Sequence, residues 1–343
     1  MSGPIDRLRQ MRRLAASMRV QLEAAVLRAG LVAELFQALA DEPMTAAELA
    51  EAKQAPLDLI AAWLRAAHAH GLLLRREGRF RPVPYVHWLL EGPDAEPARA
   101  MLDQTALTYV PLQARLPALL QGEARPIFGT DPEEAIRVAV GSRVTEGAAL
   151  SVLRRLPGVR DARRILDVGC GAGSYLADLL VRFRDALGTG VELDPAVAEK
   201  ARERLHAAEV FRRCEILDGD FMELSLPRNA FDLVLLNNNL HYFDTEGRVA
   251  LFERVHGCLA DGGTLAIQTP LVSSSVAARA LGARATMATF DLFLRAHENL
   301  YGLPVLAELA AQLRDAGFVK VGDRGVAPGG LARYIWARKT GTR

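Results

Sequence analysis

The segment ILDVGCGAGSY, residues 165–175, decides how the second half of the chain folds. An apolar run leads into three glycines at alternate positions, Gly169, Gly171 and Gly173, and a helical pattern follows them. Glycine lets a backbone turn sharply and come close to a ligand, and the start of a helix supplies unpaired N–H groups. The stretch therefore predicts a strand, a ligand-binding loop and a helix in succession.

Strand-like and helical patterns alternate from Arg163 onward. Four further apolar runs, GTGVEL, CEILDGD, FDLVLL and TLAIQTP, are separated by helical stretches such as DPAVAEKARERLHAA. This alternation is typical of βαβ units and a parallel sheet. The last stretch, GFVKVGDRGVAPGGLARYIWARK, predicts a hairpin that closes one edge of that sheet. We therefore expect a Rossmann-like α/β domain with a C-terminal antiparallel hairpin.

The first half, from Arg9 to about Gln121, is mainly helical by pattern, with leucines at four-residue steps between Leu27 and Leu39. Thr45 with Glu48 predicts a capping-box start, and a second helix is expected to follow Pro56 and to end at Gly71. LLLRREGRFRPV then alternates as a short hairpin around its Glu-Gly pair. Helix, turn, helix and hairpin form a winged-helix arrangement.

A winged helix admits two interpretations. It could be a DNA-binding regulator, but the candidate recognition helix, LDLIAAWLRAAHAH at 57–70, carries one arginine and no row of base-reading side chains. The module could instead pack against a second copy of itself, because its apolar helices offer more surface than so small a unit can bury. We favour the second interpretation, and the regulator stays as an alternative.

Composition narrows the remaining classes. The chain has 343 residues, half of them hydrophobic, and a formal net charge of +1. That balance gives no reason to expect nucleic acid or an anionic membrane as a partner. The three cysteines show neither a close pair nor a zinc spacing, the first residues lack a secretion signal, and no apolar run is long enough to cross a bilayer. We expect a cytoplasmic protein outside the membrane.

The glycine loop identifies a cofactor by resemblance. Asp167 precedes the glycines, and Ser174 stands where a dinucleotide-binding loop has its third glycine. The loop resembles motif I of the class I S-adenosylmethionine-dependent methyltransferases. This resemblance implies that S-adenosylmethionine lies on Gly169, Gly171 and Gly173, with Asp167 near its methionine end.

Two later strand ends agree with that cofactor. Glu192, in VELD, lies where an acid can accept both ribose hydroxyls, as in dinucleotide sites. Asp220 and Phe221, in DGDFME, match the family positions at which a carboxylate takes the adenine amino group and an aromatic ring covers the base. Each residue alone could be an ordinary turn or cap residue. Together, in register with the strands, they favour the cofactor.

The first half also resembles a known domain. LVAELFQALADEPMTAAELA followed by LRAAHAHGLLL is similar to the dimerisation domain of small-molecule O-methyltransferases. The resemblance implies a homodimer acting on a small molecule. We expect a dimerisation domain at 1–121, linker helices that line the substrate pocket at 122–162, and the catalytic domain at 163–343.

The segment LNNNLHYFD, residues 236–244, directs attention to His241. It follows an apolar strand, and the carboxyl ends of parallel strands open onto the binding crevice, so we expect His241 to face substrate. A second histidine, His297, lies in ATFDLFLRAHENLYGLP, where helical spacing places it on an inward stripe. The members of that stripe are Phe290, Phe293, Leu294, His297 and Tyr301. An inward histidine can also be an ordinary core residue.

These histidines leave two chemistries open. One histidine could act as the general base in O-methylation of a small hydroxylated aromatic. Alternatively, LHYFD and FLRAHENLYGLP resemble the metal-dependent α-keto acid C-methyltransferases that act on phenylpyruvate-type substrates in peptide natural-product pathways. That resemblance implies that His241 and His297 hold a metal ion, Zn or Fe, and that the substrate is methylated at its β-carbon through a metal-chelated enolate. The keto-acid reaction is our first hypothesis.

Further site residues are predicted around the histidines. Arg125, in LLQGEARPIFGTD, is the candidate for a substrate carboxylate, because guanidinium binds carboxylate in a bidentate fork, although a surface ion pair would explain it equally. Asp244 is a metal ligand, a partner that orients an imidazole, or a helix N-cap. Tyr109, Phe290 and Tyr301 are expected to line an apolar substrate site.

Overall fold

The computed structural model describes residues 4–271, 283–326 and 332–341. The chain forms two compact units. The first runs to Val110 and includes Ile136–Val144, and the second comprises Pro111–Ala135 and the chain from Thr145 onward. The predicted boundaries after residues 121 and 162 remain predictions. Among the described residues, no helix combines the length and the apolarity needed to cross a membrane.

The chain before the large sheet is helical, with one small hairpin. Its helices are α1 Pro4–Val32, α2 Leu35–Asp41, α3 Ala46–Ala52, α4 Leu57–Ala69, α5 Pro84–Glu91, α6 Ala95–Gln104, α7 Val110–Ala114, α8 Leu116–Leu120, α9 Pro132–Ser142 and α10 Glu146–Leu153. The hairpin consists of β1 Leu73–Arg76 and β2 Arg79–Pro82. The core of the first unit contains Leu27, Phe36, Leu39, Leu64 and Phe80, which are all buried.

Local sequence signals are confirmed in this unit. The Thr45 side chain accepts from the Glu48 N–H, and the Glu48 carboxylate accepts from the Thr45 N–H, which is the predicted capping box of α3. Glu77 and Gly78 both have positive φ, at 52° and 79°, as a two-residue hairpin turn requires. The leucine pattern is interrupted, however: Glu34 at φ 54° separates α1 from α2.

A seven-stranded sheet organises the second unit. Its strands are β3 Arg164–Val168, β4 Leu187–Glu192, β5 Cys214–Asp218, β6 Phe231–Asn237, β7 Leu259–Thr269, β8 Val319–Gly325 and β9 Arg333–Arg338. Their order is β5-β4-β3-β6-β7-β9-β8, parallel from β5 to β7, with β9 and β8 antiparallel. The Rossmann-like prediction, including the C-terminal hairpin, is confirmed, while its Gly/Pro-rich turn lies outside the described residues.

Helices connect the strands of this sheet. They are α11 Ser174–Arg182, α12 Pro195–Ala207, α13 Thr245–Cys258, α14 Ala283–Arg295 and α15 Leu306–Asp315. Apolar side chains cover both faces of the sheet, in two separate clusters of buried residues. The chain reaches β4 and β5 on one side of β3 and then crosses to β6 on the other, so β3 and β6 flank the point where the strand order reverses. Ligands of such sheets bind beyond the carboxyl ends at that point.

One helical prediction is wrong in its extent. The stripe from Phe290 to Tyr301 was expected on a single helix, but α14 ends at Arg295. Tertiary hydrogen bonds replace the helical ones beyond that residue: the Tyr301 N–H donates to the His241 carbonyl at 2.8 Å, and the Leu303 N–H donates to Asp291 Oδ1 at 2.7 Å. His297 therefore lies in a turn.

Candidate active site

The glycine loop after β3 makes an open cradle. Gly169, Gly171 and Gly173 have φ values of 65°, 54° and 72°, a region that other residues rarely adopt. A Cβ on Gly171 would meet no atom within 4 Å, whereas one on Gly169 would lie 3.2 Å from Asn239 Nδ2. The loop thus presents bare backbone to the space above the sheet, and α11 begins directly after it.

Acceptor atoms without partners surround the base of this loop. Asp167 is 1% exposed, and neither of its carboxylate oxygens has a hydrogen-bond partner within the described part of the chain. Asn239 donates from Nδ2 to the Val168 carbonyl at 2.7 Å, and its Oδ1 is buried and also unpartnered. Burial, reinforced by the nearby carboxylate of Glu192, raises the pKa of Asp167 to about 8. A ligand carrying several N–H donors and a positive charge fits this set of acceptors.

A buried polar network lies beneath these acceptors. The Tyr334 hydroxyl on β9 donates to Asn237 Oδ1 at 3.2 Å, and the Tyr175 hydroxyl on α11 donates to Gln268 Oε1 on β7. Tyr334 is fully buried, and Gln268 is 1% exposed. The network fixes the ends of β6 and β7 next to Asp167. These residues were not predicted from the sequence, and their signal was the presence of polar side chains at the ends of apolar strands.

The ends of β4 and β5 meet beside the loop. Glu192 Oε2 accepts from the Gly171 N–H at 2.9 Å, and the Gly219 N–H donates to the Glu192 carbonyl at 2.9 Å. Asp220 is exposed, and its Oδ1 accepts from the Met222 N–H at 2.8 Å. Each of the two carboxylates keeps lone pairs for a ligand. Glu192 and Asp220, predicted from separate motifs, are therefore brought to one edge.

Phe221 and its neighbours differ from the expected arrangement. Phe221 is 5% exposed and packs in the core, with the Arg254 guanidinium 5.1 Å from its ring centre. Leu193, directly after Glu192, is 69% exposed and offers an apolar side chain at the same edge. Leu193 was not predicted from the sequence, although a leucine that follows an acid at a strand end was a usable signal.

Aromatic rings join the two predicted histidines. His241 lies in the short helical turn Leu240–Tyr242 beyond β6, and its ring is edge-on to Phe290 at 6.0 Å. Phe290 stacks on Phe293 at 6.1 Å, and Phe293 contacts His297 at 4.6 Å. Two phenyl rings thus lie in series between the imidazoles. The structure brings His241, His297 and Phe290 into one aromatic cluster.

The two imidazoles have different surroundings. His241 is half-buried, and its Nδ1 is shielded from solvent without a partner within the described residues. This burial lowers the pKa of His241 to about 4, so the ring is neutral at ordinary pH. His297 is 4% exposed, and its Nδ1 lies 2.8 Å from the Phe293 carbonyl. The Nδ1 atom of His297 is therefore paired with its own backbone.

Arg125 is placed beside this cluster by the backbone around it. The Glu298 N–H donates to the Pro126 carbonyl at 3.0 Å, and Asn299 exchanges hydrogen bonds with Phe128, whose ring lies 5.5 Å from that of His297. Arg125 itself is exposed and has no ion pair among the described residues. Its guanidinium is available to an anionic group of a substrate.

Comparison with known proteins identifies this arrangement. A sequence model of the methyltransferase domain matches residues 165–263. The 3-hydroxy-5-methyl-1-naphthoate 3-O-methyltransferase of Streptomyces sahachiroi is 30% identical over 336 residues, covering 91% of both chains. The chain belongs to the O-methyltransferase-like family of class I S-adenosylmethionine-dependent methyltransferases. It is accordingly an S-adenosylmethionine-dependent methyltransferase.

Two further comparisons agree with this family. The mitomycin biosynthesis 6-O-methyltransferase of Streptomyces lavendulae is 34% identical over 154 residues, 44% of this methyltransferase and 42% of that protein. The solved structure of the mitomycin 7-O-methyltransferase superposes with a TM-score of 0.80 at 23% identity, over 98% of this chain and all of the other. The latter supports the fold of both halves of the methyltransferase.

The predicted metal site gains no support. Within residues 4–271, 283–326 and 332–341, no three His, Cys, Asp or Glu side chains gather in a group that could hold a metal ion. His297 Nδ1 is already used by the Phe293 carbonyl, and Asp244 Oδ1 accepts from the Gly247 N–H at 2.7 Å as the N-cap of α13. The described residues therefore give no support to the metal that the narrower resemblance implied, and the named relatives do not support the α-keto acid subgroup.

The two tyrosines predicted to line the substrate site have separate positions. Tyr301 is 40% exposed and is tied through its N–H to the His241 carbonyl. Tyr109 belongs to the first unit, in the π-helical turn Thr105–Tyr109, where its hydroxyl accepts from Gln104 Nε2 at 3.3 Å. Burial raises the pKa of Tyr109 to about 12. A substrate contact by either tyrosine of the methyltransferase remains a prediction.

Proposed function

We propose that the chain transfers a methyl group from S-adenosylmethionine to a hydroxyl oxygen of a small aromatic acceptor. The observation that carries this proposal is the position of His241, a neutral imidazole set among aromatic rings directly beyond β6 and next to the glycine loop. The names of the full-length and partial relatives support transfer to oxygen, which was our alternative hypothesis. They do not favour carbon methylation of an α-keto acid.

The orphan acceptors suit the methionine end of the cofactor. We assign Asp167 and Asn239 Oδ1 to its ammonium group, since an ammonium offers three donors and a compensating charge. Glu192 would accept from the ribose hydroxyls, and Asp220 from the adenine amino group, as the sequence predicted. Leu193, with its exposed side chain, would contact the adenine face in place of the buried Phe221.

The aromatic cluster suits a flat acceptor. The rings of Phe128, Phe290 and Phe293 lie around the histidines, and the Phe293 ring is about 6 Å from each of the other two, a distance at which rings attract each other edge-on or stacked. Arg125 would bind a carboxylate on that acceptor in a bidentate fork. We therefore expect a hydroxylated aromatic acid, and the naphthoate in the name of the full-length relative is consistent with that class.

His241 would act as the general base. The bound cofactor supplies an electrophilic methyl group on a sulfonium. The neutral imidazole accepts the proton of the acceptor hydroxyl as the oxygen attacks, so that no free phenolate has to be formed. The hydrogen bond from the Tyr301 N–H to the His241 carbonyl holds the turn in place, and the Phe290 ring limits rotation of the imidazole. The protein otherwise contributes alignment and exclusion of water.

The first unit supports assembly with a second copy. Helix α1 places Leu8, Met11, Met18 and Leu22 on one face at 100° per residue, and each side chain is more than half exposed. A continuous apolar face of this kind is costly to leave in water. We propose that α1 packs against the same helix of a second chain and that the protein is a homodimer, as predicted.

The reaction can be tested by following a labelled methyl group. The purified chain is incubated with methyl-¹³C S-adenosylmethionine and a panel of hydroxybenzoates, hydroxynaphthoates and phenylpyruvate, with and without EDTA. We expect the label in a methoxy group, at the same rate with the chelator. A C-methyl signal from phenylpyruvate that EDTA abolishes would reverse the choice between the two hypotheses.

A further inference from the structure

A cavity lies on the opposite side of the second unit from the candidate active site. Its volume is about 430 Å³, within the range of small-ligand pockets. It is lined by Ser151, Arg154, Arg155, Arg160, Arg182 and Phe183. Four arginines thus line one space, together with one serine and one half-buried phenylalanine.

The topology separates this cavity from the cofactor site. Helix α11 runs from the glycine loop back to Arg182, and the Leu187 N–H at the start of β4 donates to the Arg163 carbonyl at the start of β3. The cavity therefore sits at the amino ends of the strands. The glycine loop and His241 lie beyond the carboxyl ends. A ligand here would not touch the methyl-transfer site.

Few negative charges compensate the arginines. Arg154 pairs with Asp178 at 2.8 Å, and both side chains are less than one third exposed. Arg155, Arg160 and Arg182 have no ion pair among the described residues, although Arg160 Nε donates to the Arg154 carbonyl at 3.3 Å. A surplus of positive charge converging on a concave site attracts anions and concentrates them there.

The lining defines the chemistry of the ligand. A monocarboxylate would neutralise only one of the free guanidiniums, whereas a phosphate monoester carries close to two charges and binds arginine forks bidentately. The cavity is also larger than an inorganic phosphate ion needs, and the Phe183 ring offers an apolar wall for an organic group. We propose that this cavity is a binding site for an organic phosphate with a flat or apolar group beside the phosphate.

Three small ligands can distinguish the contribution of the phosphate group to binding from that of the apolar group. Binding of phenyl phosphate, inorganic phosphate and benzoate to the full-length chain is measured by calorimetry at about 0.1 M salt, where surface attraction is largely screened. We expect phenyl phosphate to bind tightest, inorganic phosphate more weakly and benzoate weakest. The double variant Arg155→Gln/Arg182→Gln should weaken phenyl phosphate by about tenfold or more, because it removes two charge-assisted donors. Phe183→Leu should reduce the preference for phenyl phosphate over inorganic phosphate.

A charge-matched control makes the test decisive. Arg184→Gln/Arg314→Gln removes the same charge from exposed positions outside the cavity and should leave binding unchanged. Methyl transfer should be unaffected in all of these variants, which keeps this result independent of the proposed reaction. The proposal is overturned if none of the probes binds saturably, or if the control pair weakens binding as much as the cavity pair.

Discussion

Phe128 and Asn299 exchange two hydrogen bonds across 171 positions of sequence. The Phe128 N–H donates to Asn299 Oδ1 at 2.8 Å, and Asn299 Nδ2 donates back to the Phe128 carbonyl at 3.0 Å. This reciprocal pair fixes the segment after Arg125 against the turn that holds His297. The pair thereby brings the chain next to Arg125 close to residues that lie far later in the sequence.

Arg125 should therefore determine recognition of an acidic acceptor. Arg125→Gln should raise KM for a carboxylated aromatic acceptor on the order of 10–100-fold, because a bidentate charged contact is lost. The value of kcat should change little, since the contact is remote from the transferred methyl group. The control is the same acceptor without its carboxylate, for which wild type and variant should be equal. Equal KM values for the acid would remove Arg125 from the site.

His241 should be required for the chemical step. His241→Ala should lower kcat by roughly 10²–10⁴-fold, the usual contribution of a positioned base. Affinity for the cofactor, measured by calorimetry, should stay within about twofold of wild type, because Asp167 and Glu192 are untouched. His206→Ala, an exposed histidine that stacks on Phe211, is the matched control and should keep full activity. Unchanged kcat in His241→Ala would exclude the imidazole as base.

The lowered pKa of His241 should make the stability of the folded chain depend on pH. The pKa of His241 is about 4 in the folded chain and 6.5 for an ordinary histidine. Between pH 4 and pH 6.5 the unfolded chain therefore binds more protons than the folded chain. The stability contribution of the neutral ring is complete above pH 6.5 and is lost progressively as the pH falls towards 4. The melting temperature of wild type should therefore decline over this window relative to His241→Asn. Parallel declines in the two proteins would contradict this assignment.

Binding of the cofactor should be coupled to deprotonation of the Asp167 carboxyl group. Its pKa in the cofactor-free protein is raised to about 8, so the carboxyl is mostly protonated at pH 7 and must ionise to bind an ammonium. Affinity for S-adenosylmethionine should rise by about tenfold per pH unit between pH 6 and 8 and then level off. Calorimetry in buffers of different ionisation enthalpy should show release of about one proton at pH 7.

Substitution of Asp167 should have opposite effects on cofactor affinity and on the stability of the cofactor-free protein. Asp167→Asn should weaken cofactor binding on the order of 10²-fold, because a buried ionic contact is lost. The same variant should melt a few degrees higher than wild type without cofactor at pH 9, where wild type carries an uncompensated buried charge. A variant that is less stable at pH 9 and binds the cofactor normally would show that Asp167 has only a structural role.

Dimerisation through α1 can be tested by charge. Met11→Glu/Met18→Glu places two carboxylates on the apolar face and should convert the dimer to a monomer by light scattering at micromolar concentration. Ser17→Glu/Ala24→Glu adds the same charge at exposed positions on the other side of the helix and should leave the dimer intact. A wild-type chain that is monomeric throughout would refute this interface.

Local patterns predicted the parts of this fold that depend on neighbouring residues. The capping box at Thr45, the turn at Glu77-Gly78 and the five parallel strands all follow from short-range chemistry. The end of α14 at Arg295 could not be predicted, because no glycine or proline marks it and hydrogen bonds from distant segments decide it. The inward position of Phe221 depends in the same way on Arg254, which packs over its ring from another helix.

For the candidate site, too, the sequence indicated the residues that belong to short local motifs. Asp167, the three glycines and Glu192 could be proposed from the sequence because they belong to short motifs at strand ends, and their contact with the cofactor stays a prediction. The absence of a three-ligand metal group from the described residues was not predictable, since the spacing between His241 and His297 in the sequence says nothing about where their rings lie in the fold. Only the structure shows that His297 is engaged by the Phe293 carbonyl and that Asp244 caps α13.

The position of β9 has a consequence for synthesis of the protein. This strand, Arg333–Arg338, comes last in the chain but pairs between β7 and β8, and its Tyr334 reaches inward to Asn237. A ribosome must release the chain through β9 before β7 gains its neighbour on that side. Until then the backbone of β7 is an open edge, and such edges pair readily with other chains. A chain that is truncated before β9 would therefore be an aggregation-prone product and not merely a shortened enzyme.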